Sequence, residues 1–160
     1  MTRRESMMLL ASATAAAQGE PRQVMPRFLA KSIDGVTFNR ETTMHKVVLI
    51  QHWATWCGYC RKDEPGVEAI IRDHAAQGLV VLAVNAGEPK PKVLEYLREH
   101  KRSARIVLAP DTNLGRFFED AGLPAYILID RDGNIAHMQA GSGGLPAFHE
   151  MMRIVGLRKQ

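Results

Sequence analysis

Trp53-Ala54-Thr55-Trp56-Cys57-Gly58-Tyr59-Cys60-Arg61-Lys62-Asp63-Glu64-Pro65 holds both cysteines of the 160-residue chain. A two-residue spacer lets the two sulfurs point the same way at the first turn of a helix, close enough to close a disulfide. A four-thiolate zinc site is excluded, because no second cysteine pair exists to complete the tetrahedron. What remains is mainly redox chemistry, with one thiol that attacks and one that resolves. At a helix N-terminus, Cys57 would meet unpaired backbone N–H groups and the positive end of the helix dipole, both of which stabilise a thiolate. Such positions lower a thiol pKa from about 8.5 to between roughly 3.5 and 7.5. Cys60, one helical turn deeper, would release a mixed disulfide formed at Cys57. Trp53 and Trp56 are expected to form a flat apolar wall beside the pair.

The residues on either side say what carries this motif. Lys46–Trp53 is a β-branched, mainly apolar run, the pattern of a strand buried on both faces, and it leads straight into the cysteines. From Arg61 to Gln77 the apolar positions Val67, Ala69, Ile70, Ile71 and Ala75 keep a helical period, with Gly78 as a stop and Pro65 expected to kink the helix. Leu79–Val84 and Ile106–Ala109 are further buried strands, and a helix is expected over Pro89–Lys101. Asn113–Ala121 is a short helix. Tyr126–Ile129 and Ile135–Gln139 flank Asp132-Gly133, a hairpin signal, and a last helix runs over about Pro146–Val155. Two short strands, Arg27–Ser32 and Val36–Phe38, come before all of these. The order β-β-β-α-β-α-β-α-β-β-α gives an α/β fold, a mixed central sheet with helices on both faces.

Composition narrows the class. The length is that of one domain able to bury a sizeable core. A formal charge of +4, spread along the chain, leaves no nucleic-acid stripe. The densest basic cluster, Arg98, Lys101, Arg102 and Arg105, is taken as a solvated helix end, where cations also favour the dipole. At the N-terminus, Arg3 and Arg4 precede the small apolar run Met7–Ala17, which ends Ala15-Ala16-Ala17: the layout of a cleaved secretory signal over residues 1–17. The run is far short of the ~20 residues a membrane-spanning helix needs. Thr2-Arg3-Arg4 is also similar to the start of a twin-arginine signal, although Ser6 stands where such signals place a large apolar residue. Residues 18–26 are expected to be a linker, and 27–160 the folded domain.

The cysteine segment resembles the active-site segment of the thioredoxin superfamily, and more narrowly that of the exported TlpA/ResA-like thiol–disulfide oxidoreductases, W-A-T-W-C-x-x-C-R followed by an acid and a proline. Gly122-Leu123-Pro124-Ala125-Tyr126-Ile127-Leu128-Ile129-Asp130-Arg131-Asp132-Gly133 matches their second landmark, a G-x-P segment before a strand and a D-x-D-G turn. The resemblance covers roughly residues 24–155. It implies a thioredoxin fold with an N-terminal β extension and an inserted segment before Pro124. It also implies a cis peptide bond at Pro124, which would lie against the disulfide and leave the Leu123 backbone free to pair with substrate.

Three departures bear on mechanism. The spacer is Gly58-Tyr59, where this family usually has proline before the second cysteine; Gly-Tyr is the dipeptide of periplasmic disulfide isomerases. Gln51 stands six residues before Cys57, where thioredoxins proper carry a buried acid that helps deprotonate the resolving thiol. Glu64 adjoins Asp63, the residue at the family's acidic position, and both are expected on a solvated helix face. The expected activity is therefore exchange of disulfides with protein substrates outside the cytoplasm, as a reductant recharged by a membrane thiol–disulfide donor. Apocytochrome c or copper-site proteins are the client class. No bound cofactor or metal is expected beyond the redox-active Cys57–Cys60 disulfide, and the chain is expected to act as a monomer. The alternatives are a disulfide isomerase or oxidase, and a copper chaperone using the same sulfurs with one of the scattered histidines, His45, His52, His74, His100, His137 or His149.

Overall fold

The computed structural model describes residues 22–160; the stretch expected to be a signal lies outside them. Seven strands form one sheet in the order β2-β1-β5-β4-β3-β6-β7. These are β1 (Leu29–Ser32), β2 (Thr37–Asn39), β3 (Val47–Trp53), β4 (Leu79–Asn85), β5 (Arg105–Thr112), β6 (Ala125–Ile129) and β7 (Ile135–Ala140). The α-helices are α1 (Gly58–His74), α2 (Lys90–Glu99) and α3 (Gly144–Ile154). β3 runs parallel to β4 and antiparallel to β6, so its buried Val/Leu/Ile run is paired along both edges. The β1–β2 hairpin is the N-terminal extension and joins the sheet antiparallel to β5. The mixed sheet and the extension are those of the expected thioredoxin fold.

Alternation along β3 divides the core. Leu49 and Trp53 face a core shared with Val67 and Ile70 of α1, Val93 of α2, and Phe148, Met151 and Met152 of α3. Val48 and Ile50 face the other side, where Leu114 and Phe118 pack with Met25 and Phe28. The short helix expected over Asn113–Ala121 is there a 3₁₀ helix, Leu114–Phe118. The last part of the expected linker is docked instead of free. Val24 bridges to Asn134, and the Met25 N–H donates to the Gly133 carbonyl at 3.0 Å. Burying the Met25 side chain favours this docking, since removing a side chain of that size from water is worth about 1.5–3 kcal/mol.

Two glycines set how α1 is seated. A Cβ on Gly66 would come within 2.7 Å of the Phe148 ring, so α1 and α3 approach closely only because position 66 is bare. α1 ends through a 3₁₀ turn, Ala75–Gln77, on Gly78 at φ 88°, a left-handed stop that suits glycine. The Gly78 carbonyl then accepts the Val47 N–H at 3.1 Å, which ties the far end of the helix to the start of β3. The chain stays helical through Pro65.

Candidate active site

The C-terminal end of β3 delivers the cysteines. After Trp53 the chain turns through Ala54–Trp56 and enters α1 with Cys57 as its N-cap, whose Sγ accepts the Cys60 N–H at 3.1 Å. A sulfur thus takes the place of the usual capping oxygen on a free amide of the first turn. Cys57 and Cys60 are joined as a disulfide with Cα atoms 5.2 Å apart. Cys57 is 5% exposed and Cys60 1%, so Cys57 is the more accessible of the two residues.

The expected wall of two tryptophans is split by the strand-to-helix turn. Trp53 is 0% exposed and belongs to the core, so it has no surface to offer a substrate. Trp56 is 63% exposed, and Tyr59, inside the spacer, matches it at 63% with the Lys62 ammonium 5.0 Å above its ring. The apolar platform beside the sulfurs is therefore Trp56 and Tyr59. Opposite β3, His52 pairs in register with Ala125, so Pro124 stands level with Trp53 at the same end of the sheet. The Leu123–Pro124 peptide is cis. Leu123 packs against the core that holds both cysteines, and among the described residues its N–H and C=O have no hydrogen-bond partner.

Asp63 is not on a solvated face. It is buried, one turn after Cys60 on the same side of α1. The Tyr126 hydroxyl donates to Oδ2 at 2.7 Å, the Gly144 N–H donates to Oδ1 at 3.2 Å, and the Ser142 hydroxyl also donates to Oδ1. Tyr126 accepts in turn from Gln51 Nε2 at 3.1 Å, and Gln51 Oε1 accepts from Arg102. A polar chain, buried from Gln51 onward, thus runs Arg102–Gln51–Tyr126–Asp63. Burial, and then the Asp63 carboxylate, push the Tyr126 phenol well above its ordinary pKa, so it remains a donor. Glu64 accepts from the Tyr96 hydroxyl at 2.7 Å, and Tyr96 is likewise pushed up, by burial first and by Glu64 second. Arg102, expected in a solvated basic cluster, turns inward over the face of Trp53. Arg105 of the same cluster pairs with Asp34 at 2.6 Å.

A second carboxylate escaped the sequence reading. Glu88, just beyond β4, accepts the Thr55 N–H at 2.8 Å and the Asn85 side-chain amide at 2.8 Å, and also the Thr55 hydroxyl. Lys92 stands 3.3 Å away. Burial pushes the Glu88 pKa up, but the hydrogen bonds from Thr55 and Asn85 outweigh it and hold the group below its ordinary value. Glu88 therefore pins the turn that presents Trp56 and Cys57. The available signal was positional: a polar cluster directly after a buried parallel strand, at the carboxyl end of the sheet, where open α/β folds place their sites.

A family model described as Redoxin matches residues 18–151. The chain belongs to the Redoxin family. It is 25% identical over 130 residues to the thiol-disulfide oxidoreductase ResA of Bacillus subtilis, covering 81% of this chain and 73% of that one. It is 29% identical over 131 residues to YkuV of the same organism, another thiol-disulfide oxidoreductase, covering 78% and 88%. Among solved structures, a Chlorobium tepidum protein described as a putative thiol:disulfide interchange protein DsbE superposes with a TM-score of 0.74 at 23% identity. The match covers 84% of this chain and 97% of that one. Within the thioredoxin superfamily the chain is TlpA/ResA-like, and with its cysteine pair in place it is a thiol–disulfide oxidoreductase. Among the described residues no group of three His, Cys, Asp or Glu lies placed to hold a metal ion, and no helix is long and apolar enough to cross a membrane.

Proposed function

We propose that the protein reduces disulfides in protein clients outside the cytoplasm, with Cys57 as nucleophile and Cys60 as resolving thiol. The observation that carries this is Cys57 at the helix cap: it is the more accessible cysteine of the two, and its sulfur accepts a backbone N–H that would also stabilise a thiolate. In the reduced protein the Cys57 thiolate attacks one sulfur of a client disulfide. A mixed disulfide forms and the first client thiolate leaves and takes up a proton. Cys60 then gives its proton to Asp63 and attacks the Cys57 sulfur. The Cys57–Cys60 disulfide closes, and the second client thiolate departs and is protonated. The client has gained two electrons and the enzyme has lost two, which a membrane thiol–disulfide donor must restore.

Trp56 and Tyr59 give a client an apolar surface to cover, and the free backbone groups of Leu123, held in place by Pro124, can pair with its extended chain. An extracytoplasmic location follows from the signal-like N-terminus, and the cell envelope supplies oxidised clients such as apocytochrome c or copper-site proteins. The protein acts as a monomer and needs no cofactor besides its own disulfide. Insulin-disulfide reduction coupled to a dithiol donor tests the reading, and Cys57→Ser should abolish turnover. Stoichiometric copper binding without exchange would overturn it in favour of a chaperone. The Gly58-Tyr59 spacer favours a second reading, isomerase or oxidase. A reduction potential of about −270 mV supports the reductant, and one of about −120 mV the oxidant.

A further inference from the structure

Arg102 closes the end of the polar chain farthest from Asp63, in surroundings that packing alone would not select. Its guanidinium carbon lies 4.9 Å from the centre of the Trp53 ring, and Nη2 donates to Gln51. Nε and Nη1 are buried with no hydrogen-bond partner. A half-buried cation with these two nitrogens shut away unpaired is costly, and an apolar side chain would cover Trp53 at less expense. Among the described residues no carboxylate forms an ion pair with it. Glu64 and Glu68 of α1 face it at longer range, with the phenols of Tyr96 and Tyr126, and His100 is stacked on Tyr96 at 4.2 Å.

What Arg102 contributes lies in the two-ended amide of Gln51. A side-chain amide has nearly the same shape either way round, but one end accepts and the other donates. Arg102 has only donors, so it selects the Gln51 oxygen and leaves Nε2 facing Tyr126. The Tyr126 hydroxyl then accepts from Gln51, and its own proton is directed to Asp63. With the amide reversed, the Gln51 oxygen would compete for that proton and Asp63 would lose a donor.

We propose that Arg102 is a positioning residue of the redox site: by holding the Gln51 amide in one sense it points the Gln51–Tyr126–Asp63 chain toward Asp63, the acid one helical turn from Cys60. The proposal rests on the reading of Asp63 as the group that takes the Cys60 proton. Without the fixed amide, Asp63 loses an oriented donor and is held less well to accept the Cys60 proton, so resolution by Cys60 calls for a higher pH.

The step that reports this is resolution by Cys60. In stopped flow, reduced protein mixed with 5,5′-dithiobis(2-nitrobenzoate) releases one thionitrobenzoate when Cys57 attacks. A second follows when Cys60 displaces the mixed disulfide. Arg102→Met is expected to raise the pH midpoint of the second phase by about one unit, a roughly tenfold slower release near neutrality. Arg102→Lys, which keeps a donor and no acceptor, should stay close to the parent protein. Gln51→Met should show the same upward shift as Arg102→Met, and the double variant no more than either single. An unmoved midpoint in Arg102→Met, with only thermal stability reduced, would overturn the proposal, as would additive shifts in the double variant. If Arg102→Met does not fold, an unmoved midpoint in Gln51→Met overturns it alone. Asp63→Asn separates the two levels. If it leaves the second phase unchanged, the underlying reading of Asp63 fails; if it shifts the phase while Arg102→Met does not, only the role of Arg102 fails.

Discussion

The outer and inner sides of the Cys57–Cys60 pair are built from opposite materials. Outside stand Trp56 and Tyr59, two exposed rings with few neighbours, beside Cys57, the more accessible cysteine. Inside, Asp63, Tyr126 and Gln51 form a buried hydrogen-bonded chain that the half-buried Arg102 closes. Under the proposed function, the rim gives a client apolar surface, and the interior gives the resolving cysteine a place to send a proton. Rim changes should therefore alter client affinity with little effect on stability. Changes to the interior should alter rate, pH dependence and folding together.

The largest effect tests the sulfurs that separate the two sides. Cys57→Ser is expected to reduce insulin-disulfide turnover to the uncatalysed rate. Cys60→Ser should instead trap a mixed disulfide with the client, visible as a dithiol-sensitive adduct on a non-reducing gel; trapping by the Cys57 variant would reverse the assignment of sides.

Asp63→Asn comes next. General acid–base groups contribute about 10²–10⁴-fold, and a drop near the lower end of that range is expected in exchange rate, with a shifted pH profile. Three donors converge on this carboxylate, so the unfolding free energy should also fall, by about 1–3 kcal/mol. A stability loss with an unchanged pH profile would make the interior merely structural.

On the rim, Trp56→Ala should raise KM for a protein client several-fold and leave reaction with a small disulfide unchanged. Stability should stay within about 0.5 kcal/mol, as for most surface changes. Glu88→Gln probes the turn that joins the two sides. Losing a charged acceptor held by Thr55 and Asn85 should cost about 1–3 kcal/mol in urea denaturation. No loss would mean that the turn is set by Trp53 and Ala54 alone.

The smallest effect concerns His52, on the face of β3 opposite the three α-helices. Its ring stacks on Phe118 at 4.9 Å, its Nδ1 is buried without a partner, and burial holds its pKa below the ordinary value. The unfolded chain therefore binds this proton more readily than the folded one. Stability should decline as pH falls through the unfolded histidine value of about 6.5. Thermal melts of His52→Phe should lack that part of the decline between about pH 7 and pH 5; an identical decline would assign the acid sensitivity to another group.

Sequence alone determined the cysteine pair at the head of a helix, the buried strand that delivers it, the hairpin at Asp132-Gly133 and the order of elements. Each depends on neighbours a few residues apart: a two-residue spacer, a β-branched run, a turn dipeptide. One local signal went unused. Asp63 is spaced with Val67 and Ile70 at i+4 and i+7, on the stripe of α1 that the structure buries, so its period already contradicted a solvated face. Only the tertiary structure decided which tryptophan is exposed. Trp53 ends a strand with sheet on both sides, and Trp56 lies past the turn. It also decided that Arg102 points inward, that Gln51 meets Tyr126 across β3 and β6, and that Glu88 reaches back to Thr55. Those contacts join residues 33 to 75 positions apart. Helical or strand period cannot foresee them, because it fixes which face a side chain occupies but not what the fold places opposite it.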